Sequence, residues 1–266
     1  MPALDLLQIT KTFNRGTVNE KRALENLSLS LNPGDFVTVI GGNGAGKSTM
    51  LNAIAGIWPL DSGSVLLSGK DVTALPEYKR AAYLGRVFQD PMLGTAAGMS
   101  ILENLALAAR RGKRRGLAWE IKKSEQARYQ ELLASLNLGL ENRMTSKVGL
   151  LSGGQRQAVT LLMAIIQKPE LLLLDEHTAA LDPKTAATVL ELTDKFVKEK
   201  NLTTLMVTHN MQNAIDYGNR LIMMNNGKII LDIYGEEKKK LTVETLLHKF
   251  EEISGSEFAN DRALLS

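Results

Sequence analysis

The glycine-rich segment GGNGAGKST, at positions 41–49, constrains the fold of this chain of 266 residues more than any other feature. It follows the apolar run DFVTVI and precedes KSTMLNAIAG, whose pattern indicates a helix. The glycines let successive backbone N–H groups point at phosphate oxygens beside a helix N-terminus, which makes a binding site for anions. We therefore predict a P-loop, formed by a strand, a turn and a helix, that binds a nucleoside triphosphate.

The pattern G-x-x-x-x-G-K-[ST] assigns roles to individual positions of this loop. Lys47 is predicted to reach the β- and γ-phosphates, as a catalytic and a binding residue, and the Ser48 hydroxyl is a candidate Mg²⁺ ligand. The predicted nucleotide-binding residues of the loop are Gly41, Gly42, Asn43, Gly44, Ala45, Gly46, Lys47, Ser48 and Thr49.

The stretch LLLLDEHTAALDP, residues 171–183, supplies the acids that a P-loop enzyme needs. Asp175 follows four leucines, so it ends a core strand and suits the carboxylate that holds Mg²⁺. Glu176 leaves the strand and could orient or deprotonate an attacking water. His177 raises the alternative of an Asp–Glu–His metal site, but consecutive residues seldom converge on one ion. We therefore interpret His177 as a loop residue.

The order of the remaining segments predicts an α/β fold. Turn sequences such as NPGD join the early strands and favour antiparallel pairing, whereas the later strands alternate with helices and favour a parallel sheet. Asn226-Gly227 predicts a hairpin because both residues tolerate a positive φ. The expected architecture is a P-loop NTPase (RecA-like) core with an antiparallel β subdomain and a helical subdomain inserted at about 98–168. This ATPase domain would span 1–235, and the tail, 236–266, could form one amphipathic helix.

A second motif, LSGGQ at 151–155, separates this chain from other P-loop proteins. Together with the P-loop and the acid pair, it makes the chain resemble a nucleotide-binding subunit of an ATP-binding cassette (ABC) transporter, over roughly residues 4 to 235. The resemblance implies ATP and Mg²⁺ as cofactors and ATP hydrolysis coupled to transport as the activity.

The resemblance also implies roles for residues outside the P-loop. Phe13 would stack on adenine, and Gln89 would contact Mg²⁺ and sense the γ-phosphate. His209 would contact the γ-phosphate and Glu176, so Glu176, His209, Gln89 and Lys47 are the predicted catalytic residues. Asp182, which ends AALD, would lie in a loop that crosses a dimer interface near the nucleotide.

LSGGQ places Ser152 as the cap of a helix whose Gly153 and Gly154 leave backbone amides exposed, which is a second anion-binding helix terminus. In the family this terminus faces the γ-phosphate held by the opposite subunit. The resemblance therefore implies that Ser152, Gly153, Gly154 and Gln155 contact ATP across a head-to-tail dimer. A homodimer with two hydrolysing sites fits these residues, and a heterodimer with a related ATPase chain is the alternative.

The resemblance implies a separate membrane permease as partner. The segment DPMLGTAAGMSILENL, 90–105, with its small residues and Met99, resembles the family's docking groove for a permease helix, with ordinary core packing as the alternative. His177 stands where most of the family has proline, and as a loop residue it could face the subunit interface. The run DEHTAA, 175–180, resembles a bacterial subgroup of importers for amino acids such as tryptophan, which also use an extracytoplasmic solute-binding protein.

Composition limits where the chain acts. The net charge of +3 is too small to imply a nucleic-acid partner, and none is expected. No run of 18 apolar residues and no secretory pattern appear, so we expect a cytosolic chain bound peripherally at the cytoplasmic face of the membrane. The run RRGKRRG, 110–116, is interpreted as a solvated loop, with contact to anionic lipid or nucleic acid as alternatives.

Two other functions compete with transport. A soluble ABC ATPase that acts on ribosomes or DNA usually carries two cassettes or a long coiled-coil insertion, and this chain has one cassette and a short insertion. A regulator that binds ATP without hydrolysing it would not need Glu176 and His209, and both are present.

Overall fold

The computed structural model describes residues 1–113 and 121–254. The strands in these ranges are β1 (Leu4–Phe13), β2 (Lys21–Leu31), β3 (Phe36–Ile40), β4 (Ser62–Leu67), β5 (Lys70–Asp71), β6 (Leu84–Val87), β7 (Leu171–Asp175), β8 (Thr204–Val207), β9 (Arg220–Asn225) and β10 (Lys228–Tyr234). The α-helices are α1 (Lys47–Ala55), α2 (Glu77–Arg80), α3 (Ile101–Ala109), α4 (Lys123–Ala134), α5 (Gly153–Ile165), α6 (Pro183–Lys200), α7 (Met211–Asp216), α8 (Gly235–Lys239) and α9 (Val243–Ser254). Among these helices, none has the length and apolar content that crossing a bilayer requires.

The strands form two sheets. The first is antiparallel, with the order β2-β1-β4-β5. The second has the order β10-β9-β3-β8-β7-β6 and is parallel except for the pair β9–β10. That pair is the predicted hairpin, and its turn residues Asn226 and Gly227 have φ values of 46° and 74°. Both the antiparallel sheet and the parallel core that the sequence predicted are confirmed.

The parallel sheet brings three loops to one edge. Val39 of β3 pairs with Val207 of β8, and Asp175 of β7 pairs with the same Val207. Because these strands run in the same direction, the loops that follow β3, β7 and β8 all open beyond their carboxyl ends. The glycine-rich loop and the acid pair, far apart in sequence, therefore become neighbours.

The described residues between 98 and 168 lie mostly in helices. The helices α3, α4 and α5 share a buried apolar cluster that includes Leu105, Tyr129 and Leu162. The helix α4 begins at Lys123, and the backbone N–H of the preceding Lys122 donates to the Glu125 carboxylate at 3.0 Å.

The prediction of one tail helix was wrong, since the segment after β10 forms two helices, α8 and α9. The Thr242 hydroxyl accepts the backbone N–H of Thr245 at 3.2 Å, which caps a new helix. The side chains of Leu246 and Phe250 are buried in a cluster with Met211 of α7. Residues 255–266 of the predicted tail lie outside the described ranges.

A buried arginine, Arg80 of α2, connects the P-loop helix to the segment after the antiparallel sheet. Its Nη1 donates to the carbonyls of Ala53 and Ile54 at 2.8 and 2.9 Å, in the last turn of α1. Its Nε donates to Leu75 O at 2.9 Å and its Nη2 to Thr73 O at 2.7 Å. Carbonyls at a helix C-terminus favour a cation, and Arg80 adds to the Gly56 N–H that Ala53 O accepts at 3.2 Å.

We predict that Arg80→Met lowers the free energy of unfolding by about 2–4 kcal/mol, because buried carbonyls lose a charged donor. Urea denaturation followed by circular dichroism measures the change. The control is Lys79→Met, at an exposed neighbouring position, with an expected change within about 0.5 kcal/mol. Equal effects of the two substitutions would show that water replaces the guanidinium group.

Candidate functional site: a nucleotide-binding P-loop and its acid pair

The loop between β3 and α1 requires glycine at several positions. Gly41, Gly44 and Gly46 have φ values of 151°, 78° and 104°. A Cβ on Gly41 would lie 2.2 Å from Met224 O, and one on Gly46 would lie 2.5 Å from Ala23 O, so larger residues would displace the backbone. Gly46 at the N-cap provides no side-chain hydrogen bond to α1, so the first amides of the helix can serve an anion.

A cavity of about 280 Å³ opens over this loop. Its lining residues are Phe13, Lys21, Ala23, Asn43, Gly44, Ala45, Gly46, Lys47, Ser48, Thr49 and Glu176. Lys47 is buried, and its Nζ donates to the carbonyls of Gly41 and Gly42 at 2.6 and 3.1 Å. The cavity thus combines an aromatic ring, backbone amides, a lysine and a carboxylate, which are the groups that a nucleotide needs.

Phe13, the predicted adenine-stacking residue, is held by its neighbours. The Trp58 ring meets it edge to face, with centroids 4.8 Å apart and an interplanar angle of 81°. Lys11 Nζ lies 5.5 Å from the centre of the Phe13 ring. Edge-to-face contacts of this kind favour one ring orientation, so Trp58 positions Phe13 at the cavity.

Asp175 lies beside the P-loop, as predicted. Its Oδ1 is 3.4 Å from the Oγ of Ser48, which is also a predicted metal ligand. Its Oδ2 is 3.3 Å from Nη2 of Arg86. The two oxygens of this carboxylate therefore face different partners, one in the first turn of α1 and one in β6.

Glu176 adopts a left-handed backbone conformation with φ of 45°, which is costly for a residue with a side chain. Its backbone N–H donates to Val207 O at 3.0 Å, which extends the pairing of β7 with β8 by one residue. Its Oε2 lies 3.7 Å from Nδ1 of His209. The structure therefore brings together the glutamate and histidine that the sequence predicted as a pair.

The other predicted residues lie outside the cavity. Gln89 follows β6 and is exposed. The Ser152 hydroxyl caps α5 by accepting the Gln155 N–H at 3.3 Å. Asp182 caps α6 by accepting the Thr185 N–H at 3.1 Å, and the hydrogen bonds from Thr185 hold the pKa of Asp182 below its usual range. Neither Gln89, Asp182 nor the residues Ser152–Gln155 line the P-loop cavity of their own chain.

The side chain of His177 is buried within its own chain, which does not fit the expectation that it could face a subunit interface. The side chain is 2% exposed, and its Nε2 lies 3.2 Å from Thr193 Oγ1 of α6. The His177 carbonyl accepts a hydrogen bond from Gln157 Nε2 at 2.6 Å. Burial lowers the pKa of His177 to about 4, so the ring is neutral near pH 7. Within the described ranges, no three His, Asp or Glu side chains are arranged to hold a metal ion.

Two residues of the site, Arg86 and Lys21, were not predicted from the sequence. Arg86 contacts Asp175 and also donates from Nη2 to Asn52 Oδ1 at 2.8 Å. The signal was a single charge inside the apolar stretch LGRVF, which a half-buried strand also explains. Lys21 lines the cavity, and no local pattern distinguishes it from a surface lysine.

We predict that His177→Ala lowers the free energy of unfolding by about 1–3 kcal/mol and leaves nucleotide affinity unchanged. The ring packs against α6 and does not line the P-loop cavity. Denaturant unfolding and a titration with a fluorescent nucleotide measure the two quantities. Thr193→Val, which removes the hydroxyl partner, is the matched variant. A loss of nucleotide affinity in a fully stable His177→Ala protein would contradict this structural role.

Comparison with known proteins identifies the family to which this chain belongs. The model of the family described as ABC transporter matches residues 24–179. A tyrosine transport ATP-binding protein of Clostridioides difficile (strain R20291) is 47% identical over 248 residues, which cover 93% of this chain and 98% of the relative. The ABC transporter ATP-binding protein YxdL of Bacillus subtilis (strain 168) is 33% identical over 97% of this chain and 96% of its own length.

Solved structures share the fold. The dimeric ATP-binding cassette MJ0796, in a post-hydrolysis state bound to ADP and Pi, is 30% identical with a TM-score of 0.73, covering 87% of this chain and 98% of that one. A nucleotide-free ATP-binding cassette from an ABC transporter is 29% identical, with a TM-score of 0.77. The match covers 97% of this chain and 100% of the cassette. With the P-loop, the acid pair and LSGGQ in place, the chain belongs to the ABC transporter family, as an ATP-binding subunit that hydrolyses ATP.

Proposed function

We propose that this chain energises the import of an amino acid, tyrosine or a related aromatic one such as tryptophan, through a separate membrane permease. The support is the 47% identity to a tyrosine transport ATP-binding protein over nearly the full length of both chains. In such a system an extracytoplasmic solute-binding protein delivers the amino acid, and this chain is bound peripherally at the cytoplasmic face of the membrane. Its own contribution is the ATP site.

The observation that carries a dimeric mechanism is the position of LSGGQ outside the P-loop cavity of its own chain. Ser152 and Gly153 are exposed at the N-terminus of α5, a helix of 13 residues. A Cβ on Gly154 would lie 2.0 Å from Thr185 Cγ2, so the backbone there is packed directly on α6. We infer that a second copy, head to tail, presents this rigid helix terminus to the γ-phosphate in the P-loop of the first.

In this arrangement hydrolysis depends on Glu176 and His209. The Glu176 carboxylate accepts a proton from the attacking water, and its strained backbone aims the side chain into the cavity. His209, 3.7 Å from Glu176 Oε2, holds the carboxylate and can donate to the γ-phosphate. Loss of the γ-phosphate removes contacts on both sides of the interface, so the closed dimer opens after hydrolysis.

The residues beside the P-loop fit Mg²⁺. Ser48 Oγ and Asp175 Oδ1, 3.4 Å apart, are oxygen donors of the kind that this hard cation prefers. We propose that Ser48 and Asp175 would hold Mg²⁺, with Gln89 as a further oxygen donor to the ion. When bound, Mg²⁺ neutralises charge on the β- and γ-phosphates.

The permease would dock on a groove beside α2, α3 and α5, which we call the permease groove. Its volume is about 470 Å³, and its walls include Tyr78, Phe88, Leu93 and Leu107. Tyr78 and Leu93 are 72% and 70% exposed and line the same groove, and apolar surface gathered in one place is typical of a binding surface. Met99, predicted in this surface, is not among the lining residues.

The basic run at 110–116 is partly built into the fold. Arg110 Nη2 lies 3.2 Å from the Glu125 carboxylate, and Arg111 Nη2 donates to Ala164 O at 3.1 Å. Lys113 lines the permease groove. These contacts favour a structural role for the first half of the run, and residues 114–116 lie outside the described ranges.

We predict that Glu176→Gln lowers ATP turnover by at least about 100-fold and makes an ATP-bound dimer accumulate, because binding is kept while the base is lost. Phosphate release and size-exclusion chromatography with light scattering measure the two effects. Lys47→Ala is the control, since it should bind ATP weakly and stay monomeric. Wild-type turnover in Glu176→Gln would exclude this glutamate as the base.

We predict that the tagged chain, purified from gently solubilised native membranes, brings a multi-span permease with it in stoichiometric amount. The complex, reconstituted in vesicles with its solute-binding protein, should take up tyrosine or tryptophan and not lysine when ATP is supplied on the side of this chain. The Glu176→Gln complex should assemble without uptake. Ribosomal proteins or DNA in place of a permease would instead favour a soluble ABC ATPase.

A further inference from the structure

Arg86 lies where the metal-binding carboxylate and the permease groove meet. It is in β6, paired in register with Leu173 of β7, and its side chain is 13% exposed. Nη2 reaches Asp175 Oδ2 at 3.3 Å and Asn52 Oδ1 at 2.8 Å. The guanidinium carbon lies 4.6 Å from the centre of the Phe88 ring. A positive charge is thus fixed next to Asp175 by an amide and an aromatic ring.

The charge of Arg86 is poorly compensated. Its Nε and Nη1 atoms are buried and have no hydrogen-bond partner. Among the described residues, Asp175 is the one acid whose carboxylate lies within ion-pair distance of Arg86. Screening by water is weak for a side chain so little exposed, and a buried charge without full compensation interacts strongly with its neighbours.

Two cations would therefore compete for one carboxylate. Asp175 Oδ1 faces Ser48, where Mg²⁺ is proposed to bind, and Asp175 Oδ2 faces Arg86. Arg86 could help Mg²⁺ by fixing the orientation of Asp175, but restricting one side-chain torsion changes affinity by only about threefold. Repulsion between the fixed charge of Arg86 and a divalent ion bound at the other oxygen of the same carboxylate, at reduced dielectric, would change it by about tenfold or more. The repulsion is the larger effect.

We propose that Arg86 competes with Mg²⁺ for the carboxylate of Asp175. Its positive charge partly neutralises this carboxylate and so weakens Mg²⁺ binding there. This inference rests on the proposed role of Asp175 as a metal-binding residue. Arg86 supplies a positive charge near the ATP site when Mg²⁺ is absent and repels the ion when Mg²⁺ binds. To reach a given nucleotide affinity, the wild-type protein would then need a higher Mg²⁺ concentration than a variant without Arg86.

The test is the gain in nucleotide affinity that Mg²⁺ provides, measured without hydrolysis. Mant-ADP is titrated into each variant in Mg²⁺ and in EDTA, and the ratio of the two affinities is the gain. For Arg86→Met we expect the gain to rise at least about fivefold, with affinity in EDTA unchanged or lower. For Arg86→Lys, which keeps the charge, we expect a gain within about twofold of the wild type.

Two further variants make the result decisive. Arg111→Met removes another arginine of the permease groove that has a buried unpartnered Nε and no contact with Asp175, and it should leave the gain unchanged. Arg86→Gln provides the neutral side chain if Arg86→Met does not fold. A gain that stays the same or falls in the neutral Arg86 variants would overturn the proposal.

Asp175→Asn separates this inference from the proposed function. Its gain should be nearly lost, because the carboxylate that attracts Mg²⁺ is removed. If Asp175→Asn keeps the full gain, the assignment of the metal site itself is wrong. If Asp175→Asn loses the gain and the neutral Arg86 variants do not change it, the metal site stands and only the competition by Arg86 is excluded.

Discussion

The parallel pairing of β3, β8 and β7 is the constraint on which the rest of the site depends. Its hydrogen bonds align Val39, Val207 and Asp175 across the sheet, so that the glycine-rich loop and the acid pair begin at the same level. The extra bond from Glu176 N–H to Val207 O continues that alignment one residue beyond the strand. A slip of one residue in this pairing would turn the Asp175 side chain to the other face of the sheet.

One residue at this edge is held in a conformation that its own side chain disfavours. Glu176 has a positive φ, whereas Gly41, which approaches Met224 O too closely for any side chain, suits its position because it is glycine. Backbone strain of this kind persists only where the surroundings determine the conformation. Here a strand hydrogen bond supports Glu176. The residue that follows, His177, is buried and contacts Thr193 of α6. This contact explains how the loop does without the fixed φ of proline at position 177.

Arg86 and Phe88 link the ATP site to the groove proposed for the permease. Both residues line the groove, and Arg86 also contacts the carboxylate beside the P-loop. A partner helix that changes the packing of the groove would act on the position of this guanidinium, and through it on the charge at Asp175. Coupling between nucleotide and permease would then use direct contacts between neighbouring strands rather than a long pathway.

The sequence by itself determined the parts whose chemistry is local. A P-loop needs its glycines, lysine and hydroxyl within nine residues, LSGGQ needs five, and the Asn226-Gly227 hairpin needs two. The strands and the antiparallel and parallel parts of the fold also followed, since turn chemistry and apolar runs are read over short windows. These features located the cavity, and the resemblance to the ABC family paired Glu176 with His209, which lie 3.7 Å apart in the structure.

The tertiary structure decided what each side chain contacts at long range. His177 is local to the acids in sequence, yet α6 packs behind it and buries it against Thr193. Arg86 is an isolated charge in an apolar strand, and only the register of β6 with β7 gives it Asp175 as a partner. The tail was predicted as one helix, but the Thr242 cap divides it, and apolar contacts with α7 bury the second helix. Such contacts join residues far apart in the chain, so no short stretch of sequence contains them.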